Sequence, residues 1–477
     1  MFEDLLLGPI VGGLDESRVH LWGRADHLGT LHAWLWEAGD LDGEPLTGES
    51  LPLTAENGFA GVVPFLNLKP QTTYFYALSL KDVPPTPEGE AYPSFTTFPT
   101  SGKREDFSFA FGSCFYPTTP ESGQTFAAMD AHRKEHGLAF GLFLGDQIYA
   151  DKYEHNGIGQ VALTLQDYRD VYAHVWGYKP FRELLKNLPA FMTLDDHEVD
   201  DDWTWTDGTR TKAKIPPWDK VLRRLNGRPA EECRLPARRV QAALQAYWEH
   251  QGMHAPHFEL PLNVDDKGLY HLENNEPGSL AYTFEYGAAA FFVLDTRTMR
   301  VKGKAERTML GKGQWAALKE WLISVNDRYP VKFLVSSCAL LFNMWADIAK
   351  DRWPGFPEER EYLLRFLAAN EIENLFVLTG DLHSSHALQA NLFGPNGDDI
   401  PLWEFCATPF EQRLNWLAKC THNELGSEVI KNQDLRFLYL GNNFGVVNVD
   451  FGEDGKAVVT YTLRSETGEA VHSVVVR

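Results

Sequence analysis

From residue 107 onward the chain sets short apolar runs against abrupt polar segments. Six runs stand out: Phe107–Phe111, Leu138–Leu144, Ala190–Leu194, Ala288–Leu294, Val331–Val335 and Leu375–Leu378. They lead into Gly112-Ser113-Cys114, Gly145-Asp146-Gln147, Asp195-Asp196-His197-Glu198, Asp295-Thr296-Arg297, Ser336-Ser337-Cys338 and Thr379-Gly380-Asp381-Leu382-His383. Continuous runs of Phe, Leu and Val without alternation predict strands buried on both faces. Between them, Trp315, Leu318, Leu322 and Val325 recur at spacings of three and four and predict a helix over 313–325. Pro357-Glu358-Glu359 opens a second helix, with acids where the dipole favours them, and Val240, Leu244 and Tyr247 mark a third. Strands alternating with helices imply a layered α/β core, with the polar residues after the strands gathered at one sheet edge. Two more strand-like runs around a Gly455 turn close the chain.

Residues 1–100 follow a different rule. Val19 to Gly23, Leu31 to Glu37 and Thr73–Leu80 are strand-like, and in the second His32, Trp34 and Trp36 alternate with Leu31, Ala33 and Leu35. Alternation broken by turns predicts a small antiparallel sandwich. A linker in two pieces, Pro84-Pro85-Thr86-Pro87-Glu88-Gly89 and Pro99 to Asp106, separates it from a second domain over 104–477.

Composition narrows the classes. A hydrophobic share of 44% and a charged share of 23% describe a globular chain, and 477 residues suffice for two or three domains. The net charge of -22 argues against a nucleic-acid partner, because a polyanion meets a repulsive average field. Five cysteines, few and odd in number, fit free thiols in a reducing compartment. The N-terminus has early acids and no basic n-region, and no apolar run approaches the roughly 18 residues of a membrane span. The expectation is a cytoplasmic protein without a membrane partner.

The densest chemical signal is Asp195-Asp196-His197-Glu198-Val199-Asp200-Asp201-Asp202-Trp203. Six acids within eight positions repel one another unless they are solvated or share cations. A solvated surface loop is the bland alternative. The strand just before the run and the histidine within it favour metal binding. Asp146 follows a glycine that lets the backbone approach closely, though a strand-end Asp alone is more often a turn former. In an extended segment Asp381 and His383 fall on one side, placed to bind one cation. Cys114 is the softest candidate ligand, against the alternative of an unreactive buried thiol. If its thiolate converges with the Tyr149 phenolate and the Asp146 carboxylate, a ferric ion is favoured over magnesium. Gly-x-Ser-x-Gly elbows, phosphate loops and paired Cys-x-x-Cys sites are absent.

Gly112-Ser113-Cys114, Gly145-Asp146-Gln147-Ile148-Tyr149, Asp195-Asp196-His197-Glu198-Val199 and Gly380-Asp381-Leu382-His383 resemble, in order, the motif series of PhoD-like alkaline phosphatases and phosphodiesterases, within the calcineurin-like metallophosphoesterases. Leu294-Asp295-Thr296-Arg297, Leu310-Gly311 and Gln314-Trp315 add to the likeness, and the N-terminal segment resembles that family's immunoglobulin-like domain. The resemblance implies a four-layer αββα core and a phosphoesterase acting on mono- or diesters through a metal-activated water. It implies a dinuclear or trinuclear centre of Fe3+ plus Ca2+, with Mn2+ or Zn2+ as other candidates. The implied ligands are Cys114, Asp146, Tyr149, Asp195, Asp196, Asp381 and His383, with Asp146 bridging. Asp196 stands where the superfamily has the asparagine of Gly-Asn-His-Glu, and Asp381 and His383 stand where it has paired histidines. One departure is that Asp200, Asp201 and Asp202 are all acids where the family usually shows an asparagine.

His197, beside Asp196, is the candidate for orienting the nucleophile or protonating the leaving oxygen; the alternative is a core histidine satisfied by a carboxylate. Arg297 is expected either to neutralise phosphate charge or to pair with a local acid such as Asp295. Trp203, Trp205 and Trp218 wall a substrate pocket or simply pack. Arg223, Arg224, Arg228, Arg234, Arg238 and Arg239, on an insertion between two core strands, read first as a solvated helix face, with attraction of an anionic substrate as the alternative. A non-catalytic metal-binding scaffold and a dinuclear hydrolase of non-phosphate bonds are the competing readings.

Overall fold

The computed structural model describes residues 2, 4–86, 91–203, 235–256, 279–303, 307–345, 351–453 and 455–477, with the backbone alone at 262–264 and 270–272. Trp205, Trp218, Cys233, Arg223, Arg224, Arg228 and Arg234 lie outside the described residues, as do Pro87, Glu88 and Gly89 of the expected linker.

The six apolar runs all become strands, but they divide between two sheets. The first sheet orders Ala190–Thr193, Gly141–Leu144, Phe107–Gly112, Asn443–Phe451, Ala457–Ser465 and Ala470–Val476. Its first three strands are parallel and the C-terminal three antiparallel. The second sheet orders Tyr282–Tyr286, Ala289–Val293, Val331–Val335, Leu375–Thr379, Asp399–Cys406, Ser385–Phe393 and Ile430–Tyr439. Four of these run parallel, from Ala289–Val293 to Asp399–Cys406.

The two-residue period of a strand explains why the runs are apolar throughout. Leu142, Leu144, Phe191, Phe291, Phe333, Val335, Phe376 and Leu378 enter one central cluster between the sheets. Phe109 of the first sheet meets Phe291 and Phe333 of the second edge-on, at 5.6 and 5.2 Å between ring centres. The alternate residues Phe143, Ala190 and Met192 face a helical layer that includes Gln124–His136, Leu165–Trp176, Lys179–Leu185 and Ala237–Tyr247. Phe292, Leu334, Leu375 and Val377 face Gly311–Asn326 and Pro357–Ala369 on the other side. Helices, sheet, sheet and helices thus stack in four layers. The expected helix over 313–325 spans 311–326, and the strand expected over 138–144 begins only at Gly141.

The N-terminal part forms two antiparallel sheets. Leu7–Gly12, Val19–Arg24 and Ala60–Phe65 make one; Leu46–Glu49, His32–Glu37, Thr73–Ser79 and Ser94–Thr96 make the other. Their inward residues, among them Leu21, Leu35, Val63 and Tyr76, belong to the same apolar cluster as the space between the large sheets. Phe98 carries the continuity, with ring contacts to Phe140, Phe191 and Tyr286. Among the described residues no helix is long and apolar enough to cross a membrane, and Cys114, Cys338, Cys406 and Cys420 are free thiols.

Candidate metal centre

The parallel strands end at the same rim, and the polar segments after them meet there. Chain reversal at the rim forces unusual backbone: Cys114, Asp146, Asp381 and His383 all have φ between 53° and 65°, a region costly for residues with a Cβ and typical of functional sites. Gly145 makes the approach possible. Its φ is 91°, and a Cβ there would lie 2.3 Å from Asp195 Cβ.

Cys114, Asp146 and His383 bring ligand atoms within 4.8 Å of one another. Cys114 Sγ lies 3.3 Å from Asp146 Oδ2, and Tyr149 Oη lies 3.1 Å from both Asp146 Oδ2 and His383 Nε2. A second group holds Asp146, Asp195, Asp196 and Asp381, a third Asp146, Asp196 and His197, and a fourth Asp196, Asp201 and Asp202. Asp146 is common to three of the four. The expected extended segment carrying Asp381 and His383 on one side is absent. Its strand stops at Thr379, both residues are left-handed, and they divide between the first and second groups.

The acidic run is mostly buried rather than solvated, and its members do different work. Glu198, fully buried, accepts N–H bonds from Asp146 (3.1 Å), Gln147 (2.8 Å) and Asp195 (3.1 Å), so one carboxylate ties two strand ends together. Asp200 pairs with Arg239 at 3.1 Å. Arg239 is therefore buried, not part of a solvated helix face, whereas Arg238 is exposed. Trp203 is fully buried in the helical-side core, so it packs instead of walling a pocket.

His197 is held by Asp151, whose Oδ1 lies 2.7 Å from Nδ1, and its Nε2 faces Asp201 at 3.9 Å. Burial alone would lower its pKa, but Asp151, Asp196 and Asp146 hold it well above the usual value. Asp151 carried no sequence signal beyond proximity to Tyr149. Arg297 also departs from expectation. It has no exposed surface, and its three guanidinium nitrogens reach Asp195 (2.5 Å), Asp196 (3.3 Å) and Asp351 (2.8 Å), while only its backbone N–H meets Asp295. Asp351 in turn binds Arg300 and Lys302 at 2.7 and 2.5 Å. Arg352, which sequence reasoning passed over, lies 3.3 Å from Asp381 Oδ2.

The donor set fits cations. Asp195 Oδ2 is buried without a hydrogen-bond partner, and Asp196 Oδ1 has only its 3.3 Å ion pair with Arg297, a condition that normally demands compensation. Burial, with Asp196 second among the raising influences, lifts Asp195 to about 7 against the pull of Arg297. Burial likewise raises Asp146, Asp381, Cys114 and Tyr149, while His383 falls to about 3. Such crowding of neutralised acids is what bound cations reverse, by favouring the ionised ligand.

Comparison with known proteins agrees with this geometry. Alkaline phosphatase D of Bacillus subtilis (strain 168) is 28% identical over 325 residues, which are 61% of this chain and 48% of that protein, so the chain spans about half the length of the curated relative it matches. A solved structure titled "Structure of PhoD" aligns over 99% of this chain and 89% of that one at 20% identity, with a TM-score of 0.70. Purple acid phosphatase PPD1 from yellow lupin (Lupinus luteus) seeds aligns over 98% and 73% at 11% identity, with a TM-score of 0.58. These two likenesses establish the fold. The family model for the PhoD-like phosphatase matches residues 109–459, well over half of the sequence and every ligand group above, and the chain belongs to that family.

Proposed function

We propose that this protein is a metal-dependent phosphoric ester hydrolase acting on small phosphate mono- or diesters. The observation that carries the reading is the convergence of four chain segments, those of Cys114, Asp146, Asp195–His197 and Asp381–His383, with the Asp146 carboxylate shared by three ligand groups. Cys114, Asp146, Tyr149 and His383 would hold one cation, and Asp146, Asp195, Asp196 and Asp381 a second. Asp201 and Asp202, with Asp196, offer a third position. Thiol and phenol donors favour Fe3+ at the first position, and all-carboxylate donors favour Ca2+ at the second. When bound, such cations supply Lewis acidity toward water and the phosphoryl oxygens.

The chain's own groups do the rest. His197, cationic and fixed by Asp151, presents Nε2 as a proton donor to the leaving oxygen. Arg297 orients Asp195 and Asp196 from behind. Arg352 takes the role first expected of Arg297, offering guanidinium to a phosphate beside Asp381. We place the catalytic unit over 104–477 and an immunoglobulin-like unit over 1–100, in the cytoplasm, where the free thiols remain reduced.

The test is elemental analysis of the purified protein alongside a panel of mono- and diesters. Iron with calcium and ester turnover supports the reading. A protein that holds no metal and hydrolyses nothing after reconstitution returns the non-catalytic scaffold. Turnover confined to non-phosphate esters returns the other hydrolase.

A further inference from the structure

A buried chain of hydrogen bonds joins the N-terminal sheets to the candidate metal centre. Its middle is Trp248–Gly252, a π-helical turn, a rare conformation found mostly as single turns at functional positions. On one side the turn is held by the N-terminal strand Val19–Arg24. Trp22 Nε1 donates to Glu249 O at 2.9 Å, and Arg24 Nη1 lies 3.0 Å from His250 Nε2. Trp22 has no exposed surface and packs edge-on against Trp176 at 6.0 Å. Glu249, also fully buried, is gripped by Arg169 at 2.7 and 2.6 Å and by Gln245 at 2.8 Å, so the turn has little freedom.

On the other side the same turn reaches the ligand loops. Gln251 Nε2 donates to Tyr172 Oη at 3.0 Å and lies 3.3 Å from Glu198 Oε1. Glu198 is the carboxylate that collects the N–H groups of Asp146, Gln147 and Asp195. Two ligand-bearing strand ends are thus spaced by one carboxylate, and Gln251 is the side-chain amide that orients it.

We propose that Gln251 is a positioning residue of the metal centre, and that the N-terminal sheets set its position through Trp22, Arg24 and the π-helical turn. The N-terminal part then acts as an outer buttress of the site across 227 residues of sequence separation. Groups that orient ligands from outside the coordination sphere typically change metal affinity or activity by 10–100-fold. The inference rests on the metal-centre reading above.

The test follows metal leaving the full-length holoprotein into excess chelator, together with kcat and KM. Gln251→Met removes the donor and keeps the length; Trp22→Phe removes the indole N–H at the far end of the chain. The expected result is release about tenfold faster in Gln251→Met, a smaller acceleration of at least about twofold in Trp22→Phe, and kcat falling in the same order with KM unchanged. Release and kcat at native values in both variants, whatever their thermal stability, would overturn the proposal. Should Gln251→Met fail to fold, Trp22→Phe decides alone. A native protein that retains no metal overturns the metal-centre reading and this inference together, whereas a metal-retaining native protein with unaffected variants overturns only the inference.

Discussion

The rims of the two large sheets carry the same sequence signature, but the second divides its strand ends between candidate ligands and supports. On the first sheet, Cys114, Asp146 and Asp195 follow their strands and turn ligand atoms into the shared space. On the second, Asp381 and His383 after Leu375–Thr379 also join these groups, whereas Asp295 and Ser337, at equivalent strand ends, bond to protein groups instead. Asp295 accepts from the N–H groups of Leu280 (2.8 Å), Arg297 (2.9 Å) and Thr298 (3.0 Å), and from the Thr298 hydroxyl. Ser337 donates to Asp195 Oδ1 at 2.8 Å. Asp195 and Asp295 are equally buried, yet only Asp195 leaves an oxygen without a partner. Asp295 is thus satisfied by protein donors, while Asp195 keeps one buried oxygen free of them, the condition that favours a cation. Apolar run followed by acid therefore marks the rim, and hydrogen bonding tells Asp195 from Asp295 there.

That contrast can be broken or sharpened by substitution. Asp146→Ala removes the donor common to three groups, and turnover should fall on the order of 10³-fold or more, with metal lost from a folded protein. Elemental analysis and ester kinetics check both. His197→Ala should lower kcat by roughly 10²–10⁴-fold while leaving the metal in place, because Asp151 engages its Nδ1 at 2.7 Å and two of the groups around Asp146 are complete without it. Loss of the metal in that variant would make His197 a ligand instead.

Asp295→Ala strands several buried donors and should cost about 2–3 kcal/mol in denaturant unfolding, with metal content retained. If it emptied the centre as fully as Asp146→Ala, the division between ligand and support would be wrong. Ser337→Ala, the smallest change, should cost about 1 kcal/mol and speed metal release by less than tenfold.

Much of this was legible in the chain. The six apolar runs became strands, helices formed at 311–326, 357–369 and 237–247, and the candidate ligands Cys114, Asp146, Tyr149, Asp195, Asp196, Asp381 and His383 share one rim. What failed to read through was the identity of partners. Arg297 looked able to pair with Asp295 two residues away, but a fully buried guanidinium goes where three carboxylates lie, and those come from the 195–196 and 351 segments. Arg239 looked solvated because neighbouring arginines suggested an exposed face, whereas Asp200 and the Tyr168 hydroxyl draw it inward. Asp381 and His383 looked extended by alternation, and the left-handed turn after Thr379 sends them to separate groups.

The sequence by itself determined which stretches are buried and which residue types stand at their ends, because burial on both faces and ligand chemistry are local properties of side chains. Only the tertiary structure decided that the strands split into two sheets, that Asp146 is shared by three of the four candidate groups, and that Glu198 and Asp295 accept backbone N–H bonds. Those outcomes depend on which donors arrive from segments tens to hundreds of residues away, and a carboxylate's role is set by the partners it meets.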